Sequence, residues 1–385
     1  MKRVVIVGGG YAGTMLARAL DPIAEVVLVE PKAAFVHNVA AIRAVVDPVW
    51  LDKLILPYDH LLKRGRVLRD RVIAIEGEGV RLAANGSLEG DIFVVATGSL
   101  YAQPFKASGD SISDFRSALL NAHEKLKAAR SVAIVGAGAV GVELAGEIAT
   151  GMSGKRIDLV SATTVLFPGF KAALGQRLGA ELAGMNVSVH LGAAVEGLRE
   201  TLHPTSGALA IAGRSPLAAD LIFPVMGAKP DNAVLKALPG VAFDPLGRVT
   251  VDKLLRPAGA RNVFALGDVA ATGDLMTIVA ISRQAPWLAK AIKAVIAGKA
   301  LEKLPPYSPW IAPPVLVPLG PKRGASVLPL TKSGVVVGGF ATSLIKGKSL
   351  FIGRYRKEFG ANLPLGQMGI SMEPTARAES TSTIT

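Results

Sequence analysis

Three glycines near the start of the chain have the spacing of a phosphate-binding turn. Gly8, Gly10 and Gly13 form a GxGxxG pattern directly after the apolar run 4–7. In such a turn the first glycine permits a tight bend, the second lets the backbone approach a pyrophosphate, and the third lets the next helix pack against the strand. The amides at the start of that helix then point at the phosphates. The chemistry that this spacing predicts is dinucleotide binding.

The elements around these glycines are the ones that such a site requires. The run 4–7 reads as a buried parallel strand, a helix follows at 14–20, and a second strand at 26–29 ends in Glu30. A carboxylate at that place is expected to accept a hydrogen bond from a ribose hydroxyl. Glycines that only close a turn are the alternative, and they would not require this setting. We assign to the first nucleotide Gly8, Gly10, Tyr11, Ala12, Gly13, Glu30, Pro31 and Lys32.

The same pattern returns later in the chain. A strand at 132–135 precedes a second set of spaced glycines, a helix at 142–149 and a strand at 157–160. This second unit ends in Ser161 rather than in an acid, so a 2'-phosphate would not be repelled, and no arginine stands at that place to favour it. The sequence therefore predicts two nucleotides and leaves NADH and NADPH open. We assign to the second one Gly136, Gly138, Ala139, Val140, Gly141, Glu143, Ser161 and Gly227.

Composition limits what the chain can be. Its 385 residues predict two or three domains. No run of about 20 apolar residues lacks charge, so we expect no transmembrane helix. Lys2 after Met1 excludes an N-myristoylation motif, and the first strand begins too early for a signal or transit peptide. These features predict a cytoplasmic protein.

Charge and cysteine content narrow the chemistry further. Cysteine is absent from the sequence, which excludes a structural disulfide and the redox-active cysteine pair of disulfide reductases. The formal net charge of +13 predicts an acidic partner. No nucleic-acid motif accompanies the charge, so we expect no specific nucleic acid and favour peripheral contact with an anionic membrane. A merely solvated basic surface is the alternative.

Several other segments are expected to contribute to the nucleotide sites. The segment 35–43 lies where a flavin ring would emerge from the first unit, although an ordinary loop-to-helix junction explains His37 equally well. The strand at 91–95 ends in the turn ATGS, and that at 262–266 ends in Gly267-Asp268, whose carboxylate is expected near a ribityl hydroxyl; a helix-capping aspartate is the alternative there. From this group we assign to cofactor binding His37, Asn38, Arg43, Val72, Ala96, Thr97, Gly98, Gly267 and Asp268.

Together these motifs resemble a known family. The stretches VVIVGGGYAG, HNVAAIRA, VVATGS, VAIVGAGAVGVELAGEI, NVFALGD and IKGKSLFIGRY are similar to those of flavoproteins related to apoptosis-inducing factor, most closely the ferroptosis-suppressor branch. Type II NADH:quinone dehydrogenases are more distant. The resemblance covers roughly residues 2–360. It implies that the first unit binds FAD, that the second binds NAD(P)H, and that the reduced flavin passes two electrons to a quinone-type acceptor.

The resemblance also implies a domain organisation. It predicts an α/β, two-dinucleotide-binding-domain flavoprotein with two Rossmann-like units, the NAD(P)H domain inserted in the FAD domain, and a C-terminal α+β domain. The FAD-binding domain is expected at 1–105 and 228–300, the NAD(P)H-binding domain at 106–227, the C-terminal domain at 301–365 and a disordered tail at 366–385. The apolar and basic segment 344–357 is expected either on a membrane surface or as a solvated helix.

Two charged residues are implied to be catalytic. Glu143 matches a family glutamate near the nicotinamide and flavin, and Lys346 matches a family lysine beside the flavin and acceptor. Lys346 is also assigned to cofactor binding, because its charge is expected to stabilise reduced flavin. For Glu143, a carboxylate that only complements the helix dipole is the alternative. The segment 280–287 is expected to line the acceptor entrance, with core packing as the alternative for Trp287.

Two other functions compete with quinone reduction. One is the reduction of a small iron-sulfur electron carrier, whose acidic surface would suit the basic charge. The other is an NADH-responsive flavoprotein sensor with slow turnover. The sequence is compatible with a monomer or a homodimer.

Overall fold

Each glycine pattern lies at the carboxyl end of the central strand of a largely parallel sheet. The computed structural model describes residues 1–198 and 201–361. Its strands are β1 Arg3–Val7, β2 Glu25–Val29, β3 Ala34–Val36, β4 Ile55–Pro57, β5 Arg66–Leu68, β6 Val72–Glu76, β7 Gly79–Leu82, β8 Ser87–Glu89, β9 Ile92–Val95, β10 Ser99–Leu100, β11 Ser131–Val135, β12 Arg156–Val160, β13 Val187–His190, β14 Thr205–Leu209, β15 Leu217–Pro224, β16 Lys229–Pro230, β17 Val249–Thr250, β18 Val263–Ala265, β19 Ala270–Ala271, β20 Val315–Leu319, β21 Arg323–Leu328 and β22 Val335–Val337.

The helices follow the predicted alternation with strands. The α-helices are α1 Tyr11–Leu20, α2 Asn38–Val46, α3 Leu51–Leu54, α4 Ile112–Ala128, α5 Ala139–Gly151, α6 Ala172–Ala183, α7 Ile278–Ile296, α8 Gly339–Thr342 and α9 Ile352–Glu358. Short 3-10 turns occur at Pro48–Trp50, Ala233–Leu235, Gly267–Val269 and Leu301–Lys303, and a π-helix occurs at Ser343–Gly347. No helix in the described part of the chain is both long and apolar enough to span a membrane.

The first sheet has the strand order β18-β9-β1-β2-β5, and all of its pairs are parallel. Residues 4–7 of β1 are at most 4% exposed. A parallel strand covered on both faces needs apolar side chains on both, which explains the uninterrupted Val-Val-Ile-Val run. Helix α1 returns over this sheet and packs against α7.

The second sheet has the order β13-β12-β11-β15-β14, with only β14 antiparallel to its neighbour. The chain leaves the first sheet after β9, builds the whole second sheet, and returns to add β18. The short antiparallel pair of β10 and β16 joins the segment that leaves the first unit to the segment that returns to it. The predicted insertion of one unit in the other is therefore confirmed, whereas the exact domain boundaries stay predictions.

The C-terminal region is an antiparallel sheet, β20-β21-β22, followed by short helices. Its strands pack on the second unit, β20 against α5 and β21 against α6. Gly146 makes the first contact possible, because a Cβ there would lie 2.5 Å from the Cα of Leu319. This packing brings the segment after β22 over the first unit as well. The predicted tail at 366–385 lies outside the described residues.

Candidate active site

The first glycine turn has a geometry that only glycine can adopt. Gly8 has a φ of +102°, and a Cβ on it would lie 2.6 Å from the carbonyl oxygen of Ala96. A Cβ on Gly13 would lie 1.9 Å from the carbonyl oxygen of Gly8. Since real contacts are never this short, these two glycines close the strand, turn and helix together. The predicted steric roles of the first and third glycines are met in the folded chain.

The middle glycine is different, because it faces open space. A Cβ on Gly10 would have no neighbour within 4 Å, although Gly10 immediately precedes α1. The second unit repeats this pattern: Gly138 is open in front of α5, and a Cβ on Gly141 would lie 1.9 Å from the carbonyl oxygen of Gly136. Each unit therefore has an open cradle at a helix N-terminus, which fits a dinucleotide pyrophosphate.

Glu30 fastens the first turn to the end of β2. Its buried carboxylate accepts hydrogen bonds from the backbone amides of Gly9 at 2.6 Å and Lys32 at 2.9 Å, and it pairs with the Lys32 ammonium at 2.5 Å. Tyr58 donates from its hydroxyl to the Gly9 carbonyl at 2.8 Å. The carboxylate thus lies beside the cradle, where a ribose hydroxyl is expected.

A cavity of about 380 Å³ begins at this turn and reaches the second unit and the C-terminal region. Its wall also includes residues that the sequence did not single out, among them Tyr58, Lys106, Met276, Pro314 and Phe351. The predicted site residues on the wall are Gly8, Gly10, Tyr11, Ala12, Glu30, Lys32, Asn38, Ala96, Thr97, Gly98, Ala139, Val140, Glu143, Gly267, Asp268 and Lys346. The fold brings all of these side chains and turns to one place.

Other predicted site residues lie away from this wall. Pro31 borders a separate open depression with Arg69 and Asp70, and Val72 packs in the core beneath the first sheet. Trp287 is also elsewhere, since its ring packs edge-on against Tyr307. The remaining predicted residues outside the cavity wall are Gly13, His37, Arg43, Gly136, Gly138, Gly141, Ser161 and Gly227.

Glu143 and Lys346 form a buried ion pair at the cavity. The Lys346 Nζ lies 2.6 Å from Glu143 Oε1 and also donates to the carbonyl of Leu316 at 3.1 Å. Burial raises the pKa of the Glu143 carboxyl above its ordinary value, and the adjacent Lys346 ammonium opposes that shift. The pair joins α5 of the second unit to the π-helix of the C-terminal region. π-Helical turns of this kind are frequent at functional sites.

A second buried pair lies one helical turn along α5. Arg43 donates to the Glu147 carboxylate through Nε, 2.9 Å from Oε2, and through Nη2, 2.6 Å from Oε1. Its Nη2 also donates to the carbonyl of Gly347 at 2.7 Å. Arg43 comes from the first unit, Glu147 from the second and Gly347 from the C-terminal region. This pair fixes the residue next to Lys346, so it positions the catalytic candidate rather than lining the cavity itself.

His37 is also placed behind the wall. Its ring is fully buried, with Nε2 at 2.6 Å from the carbonyl oxygen of Leu350 and Nδ1 at 2.9 Å from the hydroxyl of Tyr11. A carbonyl only accepts, so Nε2 carries the hydrogen and Nδ1 accepts from Tyr11. Burial lowers the pKa of His37 to about 4, and the charge of Lys346 lowers it further in the same direction. The imidazole is therefore neutral at physiological pH.

His37 holds a strained part of the C-terminal segment. Leu350 and Phe351 have φ values of +48° and +62°, a conformation that costs energy for residues other than glycine. Phe351 lies on the cavity wall, and the hydrogen bond from His37 to Leu350 holds the residue before it. Strain that is kept at a cavity wall by a buried hydrogen bond is typical of a positioned binding surface.

Asp268 belongs to a polar group at the other side of the cavity. The Ser99 hydroxyl donates to its carboxylate at 2.6 Å, and the Lys106 ammonium donates to Ser99 at 3.0 Å. Burial lowers the pKa of Lys106, and the nearby Lys32 contributes to that shift. Lys106 was missed because a lone lysine in an irregular loop carries no sequence signal.

One unpartnered atom indicates what the cavity accepts. The Oδ1 of Asn38 is buried, and no hydrogen-bond partner for it exists among the described residues. Asn38 is on the cavity wall beside Val39 and Ile42. An acceptor in this state fits a bound group that presents an N–H or O–H, such as a flavin ring.

The fold and site define a flavoprotein oxidoreductase with two dinucleotide sites, and comparisons with known proteins agree. A family model described as pyridine nucleotide-disulphide oxidoreductase matches residues 2–285. Apoptosis-inducing factor homolog B of Dictyostelium discoideum is 33% identical over 387 residues, covering 95% of this chain and 99% of that protein. The ferroptosis suppressor protein 1 of Taeniopygia guttata is 26% identical, covering 94% and 97%.

Among solved structures, the sulfide:quinone oxidoreductase of Aquifex aeolicus has a similar fold, with a TM-score of 0.75 and 16% identity over 93% of this chain and 91% of that one. The chain therefore belongs to the pyridine nucleotide-disulphide oxidoreductase family, among the relatives of apoptosis-inducing factor. It is an FAD-dependent oxidoreductase that uses NAD(P)H. The cysteine-free sequence nevertheless excludes the disulfide chemistry in the family's name.

Proposed function

We propose that this protein transfers two electrons from NAD(P)H to a quinone-type acceptor. The observation that carries the proposal is the cavity itself, which runs from the glycine turn to a largely apolar wall that contains the buried Glu143–Lys346 ion pair. Met276, Pro314, Leu316 and Phe351 supply apolar surface on this wall. A flat, apolar acceptor with polar oxygens suits such a wall.

Bound FAD would supply the hydride-accepting and electron-transfer chemistry. The chain's own residues supply position and charge. The open cradle at Gly10 and the first amides of α1 would hold the pyrophosphate, and Glu30 would accept a hydrogen bond from the ribose. The Lys346 ammonium would offset negative charge on the reduced cofactor. Glu143 Oε1 keeps that ammonium in place at 2.6 Å and can exchange a proton with it.

The absence of cysteine supports an external acceptor. Enzymes of this fold that reduce disulfides need a cysteine pair beside the flavin, and this sequence has no cysteine. Electrons must therefore leave the cofactor directly for a molecule in the cavity or at its mouth. The apolar wall favours a small molecule that enters the cavity, rather than a protein carrier that docks outside it.

We also propose that the acceptor is met at an anionic membrane surface. Phe340 and Leu344 are 86% and 66% exposed, and their i,i+4 spacing places them on one face of the segment that carries Lys346. Lys322 and Lys348 are exposed nearby in the chain fold, and the whole sequence carries +13. Apolar residues among basic ones suit an anionic bilayer.

Vesicle sedimentation tests the membrane proposal. We expect the protein to pellet with phosphatidylserine-containing vesicles and less with phosphatidylcholine alone. Phe340→Ser with Leu344→Ser should reduce pelleting, whereas Val165→Ser, another exposed apolar residue, should not. Equal pelleting of all variants would contradict this surface.

Anaerobic stopped-flow tests the acceptor. The FAD-loaded protein is bleached with NADH or NADPH and then mixed with ubiquinone-1, menadione or rubredoxin. Fastest reoxidation by a quinone is the expected result. Fastest reoxidation by rubredoxin would replace the proposal with an iron-sulfur carrier reductase. A reduced species that every acceptor leaves unchanged would point instead to a sensor.

A further inference from the structure

Ser161 occupies the place in the second unit that Glu30 occupies in the first. The amide of Gly8 donates to the carbonyl of Val29 at 2.9 Å, and that of Gly136 donates to Val160 at 2.8 Å. One residue further along, the amide of Glu30 donates to the carbonyl of Leu68 in β5 at 3.0 Å, and that of Ser161 donates to the carbonyl of His190 in β13 at 2.9 Å. In a dinucleotide fold, the residue at this position faces the 2' oxygen of the adenosine ribose.

The second unit offers hydroxyls at this place instead of a carboxylate. The Thr163 hydroxyl donates to the carbonyl of Val165 at 2.9 Å, so the Ser161 hydroxyl donates to the Thr163 Oγ1 at 2.9 Å, and the Ser161 Oγ accepts from the amide of Thr163 at 3.3 Å. The preceding carboxylate along β12, that of Asp158, is buried and paired with Arg156 and His190. A 2'-phosphate would therefore meet rotatable hydroxyls here rather than an unpaired negative charge.

Arg214 is brought to the same place from far along the chain. Its Nη2 donates to the carbonyl of Leu191 at 2.8 Å and would lie 3.8 Å from a Cβ on Gly192. The amide of Gly192 donates in turn to the carbonyl of Thr163 at 2.9 Å. The exposed guanidinium thus lies over the loop that is hydrogen-bonded to the segment 161–163. Arginine presents five donors in a planar fork that matches phosphate oxygens.

We infer that Ser161, Thr163 and Arg214 form a subsite for the 2'-phosphate of NADPH, so that this chain uses NADPH in preference to NADH. The inference rests on the proposed function, in which the second unit holds the nicotinamide nucleotide. The Arg214 guanidinium supplies N–H donors beyond the one that it gives to Leu191, and each hydroxyl can rotate from its present acceptor to the phosphate. The subsite deepens the proposal by naming which of the two nucleotides is the substrate.

The test compares kcat/KM for NADPH and NADH in the FAD-loaded protein with menadione as acceptor. The unchanged protein should favour NADPH by about ten-fold or more, the effect of one or two charge-assisted hydrogen bonds. Arg214→Gln should lower kcat/KM for NADPH about ten-fold and change that for NADH less than about two-fold. Ser161→Glu should reverse the preference, because a carboxylate repels the phosphate and accepts from the ribose.

Arg130→Gln is the matched control, since Arg130 is an exposed arginine at the opposite end of the same sheet. It should leave both values unchanged. A preference of the unchanged protein for NADH, or an equal loss with both nucleotides in Arg214→Gln, would overturn the inference.

A binding measurement separates this inference from the proposed function. Titration with adenosine 2',5'-bisphosphate, against 5'-AMP, needs no turnover and no acceptor. We expect tighter binding of the bisphosphate, lost in Arg214→Gln, even if quinone turnover proves absent. Equal affinity for the two probes would overturn the subsite, whatever the acceptor.

Discussion

The two glycine turns have the same backbone geometry but different chemistry beside them. Gly8 and Gly136 have φ values of +102° and +116°, and a Cβ on Gly13 or Gly141 would lie 1.9 Å from the carbonyl oxygen of Gly8 or Gly136, respectively. Beside the first turn stand the carboxylate of Glu30, the hydroxyl of Tyr58 and the ammonium of Lys32. Beside the second turn, the described residues place the hydroxyls of Ser161 and Thr163 and the guanidinium of Arg214 in those roles. We therefore expect the glycine turns to set the place of each pyrophosphate and the side chains beside them to set which nucleotide binds.

The difference extends to how firmly each turn is tied to the rest of the protein. The residue after the open glycine is Tyr11 in the first unit and Ala139 in the second. Tyr11 is linked through His37 to Leu350, whereas Ala139 has no side-chain hydrogen-bonding group. The first turn, which is hydrogen-bonded to the C-terminal segment, suits a cofactor that stays bound. The second turn suits a substrate that leaves in each cycle.

A side chain placed in either pyrophosphate cradle should have the largest effect on nucleotide binding. We expect Gly10→Val to abolish FAD retention, and Gly138→Val to keep FAD while slowing its reduction by NAD(P)H about 100-fold or more. A Cβ at either position meets nothing within 4 Å, and both residues have negative φ, so the chain should still fold. The FAD absorbance of the purified protein and stopped-flow bleaching measure the two effects.

The two cradle variants act as controls for each other. Circular dichroism should show native secondary structure in both. Retention of FAD by Gly10→Val would contradict the assignment of the first unit, and loss of FAD from Gly138→Val would contradict that of the second.

Breaking the buried ion pair should have the next largest effect. Lys346→Met leaves the buried Glu143 without its partner, which should raise the pKa of Glu143 further and remove the Lys346 charge from this part of the cavity. We expect quinone-dependent turnover to fall about 100-fold with FAD still bound. Steady-state kinetics and the FAD content of the same sample measure both quantities.

Lys348→Met is the control, because Lys348 is exposed and only its backbone carbonyl contacts Arg43. It should turn over normally. Loss of FAD from Lys346→Met, with retention in Lys348→Met, would show that the ion pair holds the fold rather than the chemistry.

The local features of the site were predictable from sequence, because they depend on residues close in the chain. The glycine spacing, the strand before it and Glu30 after β2 lie within about 30 residues and follow from one steric rule. Tyr58, Lys106 and Arg214 were missed for the opposite reason. Each reaches the site from a loop whose path is set by tertiary packing, and none belongs to a spaced motif.

His37 shows a subtler limit of sequence reasoning. The stretch HNVAAIRA places it near the first unit, and the sequence left a flavin contact and an ordinary helix junction equally open. The actual partner, the carbonyl of Leu350, is 313 residues away. No local pattern encodes that contact, because it exists only once the C-terminal segment has packed over α2.

The buried ring of His37 should make the first glycine turn sensitive to acid. The folded pKa of His37 is about 4 and the ordinary value is 6.5, so the unfolded chain binds the proton more readily. The contribution of neutral His37 to the free energy of unfolding is complete above the ordinary pKa of 6.5, and it is lost as the pH falls from about 6.5 to about 4. The linked loss is about 3 kcal/mol in the free energy of unfolding.

His37→Gln removes this titration, and it should therefore flatten the fall in unfolding free energy between pH 7 and pH 5 by about 2 kcal/mol. Urea unfolding at one fixed FAD concentration measures it, and the comparison cancels the carboxylates that titrate in both proteins. The exposed His203→Gln should keep the slope of the unchanged chain. Parallel slopes for His37→Gln and the unchanged chain would mean that His37 accepts a proton without loosening its bonds to Tyr11 and Leu350. The first turn would then be no more sensitive to acid than the second.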